Sequence, residues 1–150
     1  MDIEKQKNGL LKEDGLSRTL GMEFISTPEP DTCMARMVVN QTNRQVFGFL
    51  SGGATLALCE NLAGVGSMAL VKDKVAVGIN VCGNHIRAVM EGETVTALAR
   101  LINKGRTLHT WSVDVTNEQG QLVSSVQVTN YIITPHTEKK STPYPSADEA

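Results

Sequence analysis

Basic charge is scarce in this chain: 14 Lys and Arg stand against 16 Asp and Glu, a formal net charge of −2 with a pI near 5.9. Such a balance gives no field able to neutralise many phosphates, which excludes long nucleic acid as a partner and leaves room only for a small anion on a local patch. Cysteine is scarce as well. Cys33, Cys59 and Cys82 are an odd set, far apart and in apolar or strand-like surroundings, so a disulfide framework is excluded and reduced, buried thiols of a cytosolic protein are expected. No apolar stretch is long and uniform enough to cross a bilayer, and the N-terminal MDIEKQKNGLLKEDG is charged and lacks the apolar core of a signal peptide. The cytoplasm is the expected compartment, with no membrane partner. His85, His109 and His136 have no metal-ligand spacing with one another or with the cysteines, so no metal is expected. There is no internal repeat.

What is present fits a single domain. At 150 residues, with 41% hydrophobic and 20% charged residues, the chain can bury one ordinary core and needs no second. A polar lead-in from about Lys5 carries Leu10, Leu11, Leu16 and Leu20 at spacings that suit one or two short helices. Leu20–Ser26 and Cys33–Val39 read as strands flanking the turn cluster Thr27-Pro-Glu-Pro-Asp, an opening hairpin. The one long helix candidate, Ala54–Leu70, is small and apolar nearly all round, so it is expected to be buried. Val75–Cys82, Thr94–Asn103, Leu108–Val115 and Leu122–Ile133 are strand-like, with Gly105 and Gly120 in the links between the last three. They predict an antiparallel meander after one central helix, an α+β arrangement in which a curved sheet wraps the helix. The domain is expected to span residues 1–134, and the remainder, PHTEKKSTPYPSADEA over 135–150, carries three prolines and no periodicity, as a mobile tail would.

Chemistry concentrates at the entry to that helix, Gln45-Val-Phe-Gly-Phe-Leu-Ser-Gly-Gly, and at Glu60 inside it. A carboxylate in an apolar helix costs several kcal/mol to bury unpaired, so Glu60 is either partnered by a cation, placed at an open end, or used. Gly52 and Gly53 open the helix, where free N–H groups and the positive dipole end can hold an oxyanion and the missing Cβ admits a carbonyl closely. Glu60 lies two turns further on, too far for a carbonyl seated on the glycine amides to reach it in the same helix. The Glu is expected from a neighbouring copy. Gly64-Val-Gly-Ser-Met-Ala looks like a dinucleotide fingerprint but sits near a helix end rather than between strand and helix, so packing explains its glycines better. Ser51 lacks a nucleophile elbow and an evident base, which argues against a serine nucleophile. Trp111 on a strand suits core or interface.

The order and spacing of four segments, Gln45 to Glu60, Gly83-Asn-His-Ile-Arg87, Gly105-Arg-Thr-Leu-His-Thr-Trp111 and Asp114-Val-Thr-Asn-Glu-Gln-Gly120, are specific together. Over roughly Leu16 to Ile133 the chain resembles the hotdog-fold acyl-CoA thioesterases of the phenylacetate-degradation and Arthrobacter-type 4-hydroxybenzoyl-CoA group, which includes 1,4-dihydroxy-2-naphthoyl-CoA thioesterases. The resemblance implies a hotdog fold in which Gly52 polarises the thioester carbonyl and Glu60 arrives from the partner subunit of a dimer or dimer of dimers, a homotetramer. That family's pattern is a Gln, a His-Gly-Gly and a Glu nine residues after the His. Gln45, Gly52, Gly53 and Glu60 match it, whereas Ser51 stands where the His is usual; a serine can donate one hydrogen bond but is no near-neutral acid. By the same resemblance Gln45 and Ser51 join Glu60 and Gly52 as catalytic positions, Leu50 and Gly53 line the substrate, and His85, Arg87, Lys104, Gly105, Arg106 and Thr107 contact CoA. Solvated turn charges are the plain alternative for that last set. Coenzyme A enters as part of the substrate, and no other cofactor is expected. Two other activities compete: a non-catalytic acyl-CoA binding module, and a hydratase or dehydratase, which generally pairs a His with an acid that this helix does not offer.

Overall fold

The computed structural model describes residues 1–9 and 15–135. The expected helical leucines Leu10 and Leu11, His136 and the rest of the expected tail lie outside these residues. Two short helices, α1 (Glu4–Asn8) and α2 (Gly15–Leu20), precede a hairpin of β1 (Met22–Ile25) and β2 (Thr32–Val38). The long helix α3 (Gly52–Leu70) follows, then β3 (Val75–His85), β4 (Thr94–Lys104), β5 (Leu108–Thr116) and β6 (Leu122–Ile133). One six-stranded sheet in the order β1-β2-β4-β5-β6-β3, with every pair antiparallel, packs one face on α3. Among the described residues no helix is long and apolar enough to cross a membrane.

The sequence pattern explains most of this and misses one connection. In β4, β5 and β6 alternate residues point inward, so Val95, Ala97, Ala99, Val113, Val115, Val126 and Val128 are buried against α3. The meander holds for these three strands only. β3 does not sit beside β4: the chain crosses from α3 to pair β3 with β6 at the far edge of the sheet. That edge position leaves β3 exposed along most of its length, and it corrects the expectation for Cys82, which is exposed while Cys33 and Cys59 are buried. Burial pushes the Cys33 and Cys59 thiols up to about 12, so neither offers a thiolate near neutral pH.

Helix α3 is buried on one side rather than all round. Leu58, Cys59, Leu62, Ala63 and Ser67 face the sheet, while Gly53, Leu56, Glu60, Gly64 and Met68 form a stripe that the single chain leaves incompletely covered. α1 and α2 lean on the helix beside that stripe, where Asn61 Nδ2 donates to Ser17 Oγ at 2.8 Å. On the inner side Gly66 has no room for a Cβ, which would lie 2.6 Å from the Trp111 ring. Trp111 is wholly buried core, and its Nε1 donates to Ser67 Oγ at 2.9 Å.

Ser67 gathers further polar groups under the C-terminal half of α3. Asn130 Nδ2 donates to its hydroxyl at 3.0 Å and His109 Nδ1 lies 3.1 Å away. Burial, and then the Lys104 charge, hold the His109 ring below the ordinary imidazole range. The folded state therefore prefers the neutral ring, whereas the unfolded chain takes up the proton at about pH 6.5. The stabilisation from this group is intact above that pH and is lost progressively as pH falls below it toward the depressed folded value. Thermal midpoints taken between pH 7.5 and 5 should fall with acidification, and His109→Gln should flatten part of that fall; an unchanged slope would separate His109 from the acid response.

Candidate active site

The approach to α3 is a built loop. Asn43, 1% exposed, holds it by donating to the carbonyls of Leu20 and Val38 at 3.1 and 2.9 Å and accepting from the Asn40 amide at 2.9 Å. Gln45 N–H donates to the Phe49 carbonyl at 2.8 Å, the turn between them passes through Gly48 at φ +85, and Leu50 N–H then donates to Val89 at 2.8 Å. A residue with a Cβ is strained at that φ, which is the reason for a glycine there. Val46 and Phe47 at the tip are 86% and 76% exposed.

Ser51 is the N-cap of α3: its backbone is extended and its Oγ accepts from the Ala54 amide at 3.4 Å, the usual use of a serine at this position. The amides of Gly52 and Gly53 have no hydrogen-bond partner among the described residues. They are two of the donors that every helix start leaves free, at the positive end of the dipole. A cavity of about 290 Å³ opens beside Gly52, with Gln45, Leu50, Thr55, His85, Arg87 and Ser124 among its walls. The cavity thus collects Gln45, Leu50, Gly52, His85 and Arg87 of the expected site. Ser51 and Gly53 line a separate hollow on the other side of the helix start, with Arg44 and Ala57.

Glu60 does not reach that cavity within one chain. Eight residues at about 1.5 Å each put it about 12 Å along the axis from Gly52. Its side chain is partly exposed, has no ion pair or hydrogen bond among the described residues, and rests on the backbone of Gly78 in β3, where an added Cβ would collide with Glu60 Oε1. Gly78 went unnoticed in the sequence, because nothing in the sequence says that β3 crosses Glu60. The obstructing atom is the free end of a flexible side chain, so Gly78→Ala should leave the thermal midpoint nearly unchanged and move only the carboxylate. If Glu60 acts at the reacting carbon, a displacement of about 1 Å should lower kcat by about 10²-fold. Full activity in Gly78→Ala would mean that the position of this carboxylate does not matter.

The remaining expected contacts lie at the opposite end of the helix. Lys104, Gly105 and Arg106 border a second cavity of about 260 Å³ with Lys72, Lys74 and His109, just past the C-terminus of α3. Thr107 belongs to the same tight turn, where its carbonyl accepts from Ile132 N–H at 2.7 Å and Gly105 N–H donates to Leu108 at 2.8 Å. Four cations meet here; Lys72 and Lys74 directly follow the helix in Val71-Lys-Asp-Lys74, a stretch whose sequence alone marks no site. Eighteen residues of helix separate this cluster from Gly52 by about 27 Å. Arg87 stays at the Gly52 end, where its Nη1 donates to the Leu122 carbonyl at 2.9 Å and its other N–H groups remain available.

Comparison with known proteins agrees with this architecture. The model of the thioesterase superfamily matches residues 47–124, from the approach loop into the start of β6. A putative esterase of Deinococcus radiodurans is 42% identical over 120 residues, which cover 79% of this chain and 74% of that protein. The 1,4-dihydroxy-2-naphthoyl-CoA hydrolase of Listeria monocytogenes is 30% identical over 110 residues, covering 73% and 88%. Among solved structures, a mutant of the thioesterase PA1618 from Pseudomonas aeruginosa superposes with a TM-score of 0.81 at 30% identity, covering 90% of this chain and 96% of that one. With its helix wrapped by an antiparallel sheet and these likenesses across most of its length, the chain belongs to the thioesterase superfamily and is a hotdog-fold thioester hydrolase.

Proposed function

We propose that the substrate is an acyl- or aroyl-CoA, hydrolysed to the free acid and CoA at a site shared by two copies of the chain. The observation that carries this reading is the pair of unused groups on one helix: a free amide at Gly52 and an unpaired carboxylate at Glu60, about 12 Å apart. The Gly52 N–H stabilises the negative charge that develops on the thioester oxygen, with Gln45 on the cavity wall beside it. Glu60 of the partner subunit either attacks the carbonyl carbon, giving an anhydride that water then cleaves, or takes the proton of a water that attacks directly. Both routes break the C–S bond and release the CoA thiolate, which ends as the thiol. Aroyl substrates gain support from the likeness to a protein named 1,4-dihydroxy-2-naphthoyl-CoA hydrolase.

Self-association as a dimer or a dimer of dimers is part of the proposal. The edge strand β3 leaves Val75, Val77 and Ile79 at 37%, 38% and 57% exposure, and a long apolar edge is a template for pairing with another strand. Two α3 helices packed antiparallel about a two-fold axis set Gly52 of each beside Glu60 of the other. The same packing carries the partner's basic turn to the Gly52 end, about 15 Å beyond the carbonyl site. Arg87 and the cluster of Lys104 and Arg106 are then the candidates for the CoA phosphates, with Gly105 and Thr107 shaping the turn. The free thiols of the chain suit the cytoplasm.

The test is release of free thiol from a panel of aliphatic and aromatic CoA thioesters. Turnover of at least one supports the reading; tight binding without turnover, or hydration of an enoyl-CoA instead, would replace it. Arg87→Ala and Arg106→Ala should each raise KM for CoA esters by about 10-fold, the size of a lost charge-assisted hydrogen bond, and leave kcat nearly unchanged. Contacts far from the carbonyl bind ground and transition states alike. An unchanged KM in both variants would remove the phosphate assignment.

A further inference from the structure

Ser51 is spent on capping the helix and lines a different hollow from the one beside Gly52, yet that cavity is not without an imidazole. His85, the last residue of β3, stands directly opposite Ser124 of β6 in the sheet register. Its Nδ1 lies 2.8 Å from Ser124 Oγ. Its Nε2 projects over Gly52, 2.7 Å from where a Cβ on that glycine would sit. The absence of that Cβ therefore serves two ends: it bares the amide and it admits the ring.

The tautomer of the ring follows from the burial of Ser124. That residue is 0% exposed, and His85 Nδ1 is the one partner its hydroxyl has among the described residues. A buried hydroxyl must place its single proton on an acceptor or bear the cost of leaving it unsatisfied. If Nδ1 carried the proton, two donors would face each other and the serine proton would have nowhere to go. Ser124 therefore donates to Nδ1, and the proton of the neutral ring resides on Nε2. An N–H donor thus points into the cavity next to the free Gly52 amide.

We propose that His85 is a catalytic residue, the second donor of the oxyanion hole, and that Ser124 is the positioning residue that fixes its tautomer. The inference rests on the thioesterase reading above, and it moves His85 away from the CoA contact that the sequence suggested. As the nucleophile adds to the thioester carbon, the carbonyl π electrons move onto oxygen, which then accepts from Gly52 N–H and His85 Nε2–H. When the tetrahedral centre collapses those electrons return, the C–S bond breaks and the thiolate departs. His85 gives up no proton in the cycle. A donor that strengthens its hydrogen bond only as charge develops raises kcat rather than lowering KM.

The experiment compares two substrates with the same acyl group, the CoA thioester and the N-acetylcysteamine thioester, which keeps the reacting bond and lacks the nucleotide and its phosphates. His85→Ala should lower kcat by about 10²-fold on both, the usual cost of one oxyanion donor, with KM little changed. His85→Gln, whose amide can donate from near the Nε2 position, should recover part of that loss. Ser124→Ala should lower kcat by about 10-fold, and Ser124→Thr, which restores the hydroxyl, should reverse it; thermal melts identify any variant that fails to fold. A rise in KM confined to the CoA ester, or no effect on either substrate, would overturn the proposal. Glu60→Gln on the same two substrates separates the levels. If that variant stays active the shared-site reading itself fails, whereas an inactive Glu60→Gln beside a fully active His85→Ala removes only the role given to His85.

Discussion

Glu60→Gln is expected to lose at least about 10²-fold in kcat, the general scale for removing a catalytic acid or base, while the thermal midpoint stays near that of the wild type. Glutamine keeps the length and shape of the side chain and still fits against Gly78, so packing is preserved. It carries no negative charge, can neither accept a proton from water at neutral pH nor form an anhydride, and so tests chemistry alone. Little stability should follow from the exchange, because the carboxylate is partly exposed and has no ion pair or hydrogen bond to lose among the described residues. Glu60→Ala should lose as much. A folded Glu60→Gln protein with wild-type turnover would make this carboxylate a structural feature of the helix. Single turnover in labelled water divides the two possible roles: label appearing in the Glu60 carboxylate marks a nucleophile, and label in the product acid alone marks a general base.

Much of this arrangement is legible without coordinates, and the failures have a common physical cause. The start of α3 and the central place of Glu60 follow from short-range signals, a Gly pair and a run of small apolar residues, whereas the capping role of Ser51 shows only in the structure. Strands β4 to β6 follow from alternation and from tight glycine links between neighbours in sequence. β3 is legible only in part: its β-branched residues mark Val75–Cys82 as a strand, but not its full length or its place in the sheet. Val-Ala-Val-Gly-Ile-Asn-Val-Cys has no clean period, because at the sheet edge even the face packed on α3 stays partly exposed, and its last residues, Gly83-Asn84-His85, are strand only through pairing with β6 about 40 residues later in the chain. Its place beside β6 rather than β4 is likewise a long-range fact. The unnoticed site residues depend on the same strand. Gly78 matters because Glu60 lies across it, and Ser124 because β6 sets it opposite His85. Lys72 and Lys74 look like ordinary solvated charges until the β4–β5 turn brings Lys104 and Arg106 beside them.

The central claim is that one chain supplies Gly52 and another supplies Glu60, and mixing two inactive proteins tests it most directly. Gly52→Pro removes the amide proton at the first position of the helix, where proline is tolerated, and its Cβ also displaces His85. Glu60→Ala removes the carboxylate. Each variant alone should be inactive, since both sites of its homodimer lack the same group. After random exchange of subunits about half the dimers pair one variant with the other, and each of these holds one site with both groups intact and one site with neither. Once both variants are verified as folded and exchange is complete, the mixture should recover up to about a quarter of wild-type activity, as two-fold symmetry requires. No recovery would mean that each site is built from a single chain, and would contradict the account.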